Sequence, residues 1–344
     1  RSGSSRATRP AAGRADLPGL KPPALVELCA VPGRELEPLL QEEKARWLAL
    51  LHWDFSALAE LILRYAEMRT LEGFALLDGG AVVGYAYHVT EGNKGLIGDL
   101  FVRDAWRAPA NEGLLVGAVV SKLARMPWLE RIEAQLMHLS ASGSQMAAAG
   151  RAPAAYPRQF MLAQIGQVEL EPGPVAGRLH FDRWSTWWTD STAELIAEAY
   201  RGHVDSAINN QYRTAAGARR FLENIVRYPG CGHFAPDCSW VALDDAGWVA
   251  GACLATRIGP GVGHIAQICV SPRWQGRGVG KELLRRSLAS FRESGLTEAS
   301  LTVTSSNRRA VLLYEKLGFR AIHHFDALVW ELAGGASVSA PSSS

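Results

Sequence analysis

The sequence predicts an α+β (mixed α/β) protein built as two consecutive domains of similar plan. Three observations predict it. Short apolar runs with strand-like alternation interleave with stretches of helical periodicity along the chain. Residues 264–291 read as a strand, a glycine-rich turn and a helix in immediate succession. Leu100-Phe-Val-Arg-Asp-Ala-Trp106 lines up with Ile268-Cys-Val-Ser-Pro-Arg-Trp274 at a constant offset of 168 positions, the kind of internal repeat that marks duplicated units. A chain of 344 residues is long enough for about two domains.

Residues 1–23 are rich in Arg, Ser, Ala and Pro without periodicity and read as a disordered tail. The first domain is expected over 24–170. Leu25 to Cys29 reads as a strand, and Glu35 to Leu51 and Ser56 to Met68 as helices, the second capped by Asp54 or Ser56. Phe74 to Leu77 and Ala81 to Val89 read as a hairpin around Asp78-Gly79-Gly80. Gly95 to Val102 is a strand, Leu114 to Arg125 an apolar helix, and Arg131 to Met137 and Gln159 to Ile165 two more strands. Glu171-Pro-Gly-Pro174 breaks the pattern, so 171–177 reads as the linker.

The second domain, 178–333, repeats the plan. Arg178 to Trp184 reads as a strand, and Thr192 to Arg201 and Ala215 to Tyr228 as helices. Ser239 to Leu243 and Trp248 to Arg257 form a hairpin across Asp244-Asp245-Ala-Gly247. His264 to Val270 is a buried strand, and Val279, Leu283, Leu284, Leu288 and Phe291 share one helical face after it. Ala299 to Thr304 is a strand, Asn307 an N-cap, and Ala310, Leu313, Tyr314 and Leu317 a helical face that Gly318 ends. Ala321 to Leu332 is a last strand region, and 334–344 a second tail.

The turn Gln275-Gly276-Arg277-Gly278-Val279-Gly280 carries the chemistry. Glycine admits positive φ and close approach of a ligand to the backbone. The helix after it presents unpaired N–H groups and the positive end of its dipole. Such a turn suits a phosphate or pyrophosphate, and Arg277 adds a cation. It has no Gly-Lys-Ser/Thr ending, so it is not a P-loop. Its glycines alternate strictly, so the dinucleotide fingerprint does not fit. The alternative is a plain tight connection.

Val270-Ser-Pro-Arg-Trp-Gln-Gly-Arg-Gly-Val-Gly280 followed by Asn307-Arg-Arg-Ala-Val-Leu-Leu-Tyr-Glu-Lys-Leu-Gly-Phe319 resembles the GNAT superfamily of acyl-CoA-dependent N-acyltransferases. Gln275, Gly278 and Gly280 meet the acyl-CoA loop pattern of that family. Asn307, Ala310, Tyr314, Gly318 and Phe319 meet its later helix. The resemblance implies two GNAT-like domains, each with a mixed, mostly antiparallel sheet flanked by helices and a splayed parallel strand pair at the acyl-CoA site. It implies acetyl-CoA as co-substrate and an amine acceptor that attacks the thioester directly in a ternary complex, with no metal. Ile268, Cys269 and Val270 are then expected to pair with the pantetheine arm through their backbone. Gln275, Gly276, Arg277, Gly278, Val279 and Gly280 are expected to hold the pyrophosphate, and Asn307 to contact the cofactor arm. Tyr314 is expected to protonate the leaving thiolate, a task that suits a phenol better than base catalysis does. The alternative for Tyr314 is a core aromatic.

The strand before the loop carries His264 and Gln267 but no carboxylate, where many family members place a Glu base. His264 has a suitable ordinary pKa but stands at the strand start, and Gln267 can only orient a water; a water chain, or a substrate amine already partly neutral, is the preferred route for the proton. Tyr200-Arg-Gly-His-Val-Asp-Ser-Ala-Ile-Asn-Asn-Gln-Tyr212 is expected to build the acceptor pocket, with Asp205 pairing a cationic amine and Tyr212 beside it. A solvated loop is the alternative. Along the repeat, Val102 meets Val270, Trp106 meets Trp274 and Arg107 falls opposite Gln275. Pro109 and Glu112 stand where the second half has its glycine turn. The first half is therefore expected to be a degenerate GNAT-like domain without an acyl-CoA site, a two-domain plan shared by mycothiol synthase-like members. An unrelated α+β domain is the other possibility.

A net charge of +2 argues against a general nucleic-acid or membrane-surface binder. No apolar run reaches the ~18 residues of a membrane helix. Five cysteines, an odd number spread along the chain, suggest no disulfide framework and fit a reducing, cytoplasmic compartment. Cys231, His233 and Cys238 invite a zinc reading, but lack a fourth ligand and standard spacing. Beside the N-acetyltransferase stands a reading of another class: a non-catalytic acyl-CoA-binding regulatory or scaffold protein, suggested by the missing carboxylate. The acceptor, a small-molecule amine or a protein N-terminal or lysine amine, and the oligomeric state are not chosen by the sequence.

Overall fold

The computed structural model describes residues 22–140, 143–173, 175 and 178–332. The tails expected at 1–23 and 334–344 lie outside the described residues except for 22 and 23, as do 174, 176 and 177 of the expected linker. Contacts divide the chain into two compact units that are not consecutive in sequence. Among the described residues, one comprises 22–42, 63–153 and 330–332; the other comprises 43–62 and 154–329. No helix among the described residues is long and apolar enough to cross a membrane.

The first unit is a five-stranded run in the order β1 (Ala24–Glu27), β2 (Gly73–Asp78), β3 (Ala81–Glu91), β4 (Lys94–Val102), β5 (Arg131–Gln135). All neighbours are antiparallel except β4 and β5. Asp78-Gly79-Gly80 makes the β2–β3 turn, with both glycines at positive φ (57° and 84°), as a tight hairpin requires. Helix α3 (Pro109–Leu123) crosses from β4 to β5, and Leu115, Val116, Val119, Val120 and Leu123 fill its buried face. Helices α1 (Gly33–Leu51) and α2 (Ser56–Glu67) precede β2, each with one end in either unit.

The second unit has the strand order β13 (Arg320–Glu331), β6 (Ala154–Gln164), β12 (Glu298–Thr304), β11 (Val262–Val270), β10 (Val249–Gly259), β9 (Trp240–Leu243), β7 (His180–Arg183). The two-residue β8 (His233–Phe234) also pairs with β10. Only β11 and β12 run parallel. Helices α4 (Thr189–Ala199) and α6 (Ala215–Arg227) cover one face through Leu195, Ile196, Leu222 and Ile225. A four-residue helix, α5 (Asp205–Ile208), stands between them. Helices α7 (Val279–Glu293) and α8 (Arg308–Lys316) cover the other face through Val279, Leu283, Leu284, Leu288, Phe291, Val311 and Tyr314. Each fully buried leucine or phenylalanine contributes about 1.5–3 kcal/mol. A Cβ on Gly263 would meet the Phe291 ring at 2.5 Å, so this strand position admits the helix only as glycine.

The strands and helices expected from periodicity are present with ends shifted by a few residues. The main difference is β6. It begins at Ala154 instead of Gln159 and lies inside the second unit, between β12 and β13. The division expected at 171–177 is thus a division of the sequence, whereas the contacts carry residues 154–164 into the second unit. Proline at 157 hid the start of the strand. It stands just past the last pair with β12, Arg158 opposite Thr304, and its carbonyl accepts from Ser305 N at 2.8 Å.

The repeat is visible in the strand register. In the first unit β4 pairs with β5 only over Lys94–Ile97, and in the second β11 pairs with β12 only over Val262–Ile265. These segments are 168 positions apart. So are the single bulged residues that follow, Gly98 skipped in the β3–β4 register and Ala266 in the β10–β11 register.

Candidate active site

The parallel pair parts after Ile265 and Leu301. From there β12 is paired only on its other side, where Thr302, Val303 and Thr304 face Phe160, Gln159 and Arg158 of β6. β11 continues along β10 as far as Val270, opposite Gly251. The edges of β11 and β12 that face each other beyond the fork are therefore unpaired with each other, the kind of strand edge to which an extended ligand can add. Ile268, Cys269 and Val270 stand on this edge. The Ile268 carbonyl accepts from the Tyr200 hydroxyl at 3.3 Å, so this group of the expected set already has a partner. Burial pushes the Cys269 thiol up to about 12.

β11 leads into the glycine turn. Gly276 and Gly278 have φ of 77° and 91°, and Gly278 is the left-handed N-cap of α7. Gln275 closes the turn, with its backbone N on Ser271 O at 3.1 Å and its Nε2 on Val270 O at 3.2 Å. Among the described residues, the amides of Gly276, Arg277, Gly278, Val279 and Gly280 donate to no carbonyl. These free donors at a helix start form an anion cradle. Arg277 lies over the Trp274 ring, 5.4 Å from its centroid. A Cβ on Gly276 would come within 3.3 Å of the Arg309 guanidinium, so α8 brings a second cation to the turn. Sequence reasoning missed Arg309; its signal was its place within the matched α8 motif.

Asn307 caps α8, its Oδ1 accepting from Ala310 N at 3.3 Å. The cap fixes the amide orientation, so Nδ2 points to His203 Nε2 at 3.3 Å. Tyr314 is buried on the inner face of α8, edge-on to Phe319 at 6.1 Å. Burial raises its phenol above the ordinary tyrosine range, with Cys253 and Asp205 acting the same way.

The segment 200–213 folds over the fork. Tyr212 Oη donates to Gln267 Oε1 at 3.2 Å, Gln267 Nε2 donates to Tyr200 Oη at 3.1 Å, and Tyr200 completes the chain on Ile268 O. The two rings lie 4.5 Å apart. Burial raises both phenols well above their ordinary range. Asp205 accepts from Thr304 Oγ1, and its Oδ2 lies 3.6 Å from His203 Nδ1. Asp205 and Tyr212 are thus at the fork, as expected, but one carboxylate oxygen of Asp205 is already used. Tyr200 and His203 join them; sequence reasoning grouped them with the connection without giving either a role.

His264 lies on the paired part of β11, opposite Ser300. Its Nδ1 is 2.9 Å from Ser300 Oγ, and its ring packs on Phe160 and Trp53 at 5.9 and 5.3 Å. Burial pushes its imidazole down to about 3, and the charge of Arg158 acts in the same direction. This argues against the base role that its residue type suggested. The unfolded chain binds this proton near its ordinary value of about 6.5. Stability tied to His264 is therefore full above pH 6.5 and lost as pH falls towards 3, by about 1.4 kcal/mol per pH unit. Denaturant unfolding between pH 7 and 4 should lose stability less steeply in His264→Asn than in the wild type. Equal slopes would contradict a buried neutral imidazole.

The corresponding turn in the first unit is closed by the protein itself. Pro109 occupies the first turn of α3, and Glu112 is fully buried there. Both its carboxylate oxygens accept from Ser140 N at 3.0 Å, and Oε2 also from Ser140 Oγ at 2.8 Å. An internal carboxylate thus complements the α3 dipole, and a bound phosphate would meet like charge. Among the described residues no three His, Cys, Asp or Glu side chains converge as a metal site. Cys238 is buried under α7 while His233 is exposed on β8.

Comparison with known proteins agrees with this geometry. The Acetyltransferase (GNAT) family model matches residues 194–319. The mycothiol acetyltransferase of Nocardiopsis dassonvillei is 43% identical over 61 residues, 18% of this chain and 18% of its own length. The N-alpha-acetyltransferase MAK3 of Arabidopsis thaliana is 36% identical over 66 residues, 18% of this chain and 35% of its own. The chain therefore matches only about a fifth to a third of these relatives' length. The GCN5-related N-acetyltransferase of Sphaerobacter thermophilus shares the fold over 91% of this chain and 98% of its own, with a TM-score of 0.65 at 18% identity. So does a tandem GNAT protein from the clavulanic acid biosynthesis pathway, with a TM-score of 0.55 at 15% identity over 91% and 99%. The forked strands and the free amides of the glycine turn agree with these findings: residues 194–319 match the Acetyltransferase (GNAT) family model, and the chain shares the fold of a tandem GNAT protein.

Proposed function

We propose that the protein transfers acetyl from acetyl-CoA to a primary amine by direct attack in a ternary complex. The observation that supports this most is the alignment of an open strand fork with a cradle of free amides at Gly276–Gly280. The cradle fits a pyrophosphate, Arg277 and Arg309 fit further phosphate charge, and the fork fits an extended pantetheine amide chain. The amine nitrogen attacks the thioester carbonyl, a C–N bond forms, the C–S bond breaks, and CoA leaves as thiol. Tyr314 gives its hydroxyl proton to the sulfur and recovers one, through solvent, from the attacking nitrogen. Its raised pKa keeps it protonated at neutral pH, as an acid must be. The second half is the catalytic domain in this reading, and the first a degenerate partner.

A second reading, an acyl-CoA-binding regulatory or scaffold protein without turnover, is favoured by Gln267 standing where a carboxylate base is expected. Release of the CoA thiol from acetyl-CoA, followed with a panel of primary amines, separates the two. Amine-dependent release is expected. Binding of acetyl-CoA with no release for any amine would replace the first reading by the second.

A further inference from the structure

The segment 200–213 touches both strands of the fork. Tyr200 and Tyr212 hold the β11 side through Ile268 O and Gln267. On the other side Asp205 meets Thr304 at the end of β12, and His203 meets Asn307 at the start of α8. Burial raises the phenols of Tyr200, Tyr212 and Tyr314, and the charge of Asp205 adds to all three. The His203 ring stands edge-on to Tyr200 at 5.2 Å, with 31% of its side chain exposed, so it can exchange a proton with solvent.

Asp205 orients that ring. Its backbone N lies 3.2 Å from His203 Nδ1 and its Oδ2 3.6 Å, while Oδ1 is taken by Thr304. Nε2, on the far side of the ring, meets the cap-fixed Asn307 Nδ2 at 3.3 Å. Both ring nitrogens thus face N–H donors, and a neutral imidazole has one lone pair to answer them. With its proton on Nδ1, toward the carboxylate, the ring offers that lone pair at Nε2. An ammonium is a charged N–H donor, stronger than the Asn307 amide, and can take its place. Other groups at the fork are poorer acceptors: Gln267 takes no proton, the three phenols stay protonated, and His264 is pushed down to about 3 on the paired part of β11. The elements around the ring also carry Glu198 on α4, Arg158 on β6 opposite Thr304, Arg213, and Arg308 and Arg309 at the start of α8. Of these charges, Asp205 is the one paired with the ring.

Resting on the acetyltransferase reading, we propose that His203, oriented by Asp205, is the general base that takes the proton of the incoming ammonium at Nε2. A carboxylate at one ring nitrogen and the reacting N–H at the other is the arrangement of an oriented base. One ammonium proton passes to His203, and the free amine then attacks the thioester carbonyl. The nitrogen's second proton replaces, through solvent, the one Tyr314 gives to the sulfur. The imidazolium releases its proton to solvent, so the products are the amide, the CoA thiol and one proton.

Thiol release from acetyl-CoA is followed with lysinamide, spermidine and glucosamine, and kcat/KM for the fastest amine is measured from about pH 5 to 10. In the wild type kcat/KM should be flat below the amine's own pKa and fall only in acid. In His203→Gln it should rise about tenfold per pH unit, as the free-amine fraction does, and meet the wild type above that pKa. The loss at pH 7 should follow the amine, about 10-fold for an α-amine and roughly 10²-fold or more for a lysine-like one. His203→Asn should give the same profile and guards against one variant that fails to fold. A wild-type profile in both variants would overturn the proposal. A loss equal at every pH would also overturn it, marking a structural role for the ring. So would a flat region kept in His203→Gln and lost in Asp205→Asn, which would move the base to the carboxylate. No release with any of the three amines, by wild-type protein that acetyl-CoA stabilises against heat, would overturn the transfer reaction itself, and this proposal with it.

Discussion

Tyr314→Phe is expected to lower kcat by roughly 10²-fold or more, the usual worth of a positioned general acid, with acetyl-CoA binding unchanged. The substitution removes one oxygen and keeps the ring that packs on Phe319 and fills the core between α8 and the sheet. The folded state should therefore change little, and the loss should fall on the step in which sulfur leaves. Steady-state thiol release checks this, read beside thermal unfolding of the same variant. A variant with wild-type kcat would reduce Tyr314 to a core aromatic and leave the leaving group to solvent.

Removing residues 1–170 is expected to abolish folding of the remainder, although 178–333 looks self-sufficient in sequence. Such a chain loses β6, which pairs with β12 from Glu298 to Thr304 and with β13 from Arg320 to Val329. It also loses Phe160 and Met161, both buried, whose burial is worth about 3–6 kcal/mol together. It further loses Trp53, which packs on His264, and His52, whose Nδ1 lies 2.7 Å from Glu298 Oε2. Net stabilities of only about 5–15 kcal/mol cannot absorb this, and two unpaired strand edges invite aggregation. Expression and circular dichroism of the 171–344 chain check it. A soluble, cooperatively unfolding product would show that β6 is dispensable.

How far the sequence carried can be seen at particular residues. The glycine turn was legible because positive φ at Gly276 and Gly278 and a free helix start are local properties, written in adjacent residues. The Asn307 cap and the buried Tyr314 were legible for the same reason: one helix and its first turn decide both. Glu112 was readable as a barrier to phosphate, but its partner Ser140 lies 28 positions away and had no signal. The destination of β6 was not legible. Periodicity tells that Gln159–Gln164 is a strand but not which strand it pairs with, and the linker-like Glu171-Pro-Gly-Pro174 that follows it misleads. For His264, residue type suggests an ordinary pKa, but its burial against Trp53 and Phe160, distant in sequence, with the charge of Arg158 beside it, pushes the imidazole down. The polar run Tyr200–Tyr212 was legible as a polar connection, yet its hydrogen bonds to Gln267, Thr304 and Asn307 depend on tertiary packing.

Thermal unfolding with and without acetyl-CoA, on the wild type and on Gly278→Glu, decides whether acyl-CoA sits on the glycine turn. Gly278 caps α7 at φ 91°, and a Cβ there would have only Val175 within 4 Å; the glutamate would bring strain and a negative charge to the cradle. At about 100 times its Kd, acetyl-CoA should stabilise the wild type by about 2.7 kcal/mol. The expected result is that shift in the wild type and its loss in Gly278→Glu, each judged against the unliganded protein. No shift in the wild type at millimolar acetyl-CoA, or an equal shift in both, would contradict the placement of acyl-CoA on this turn.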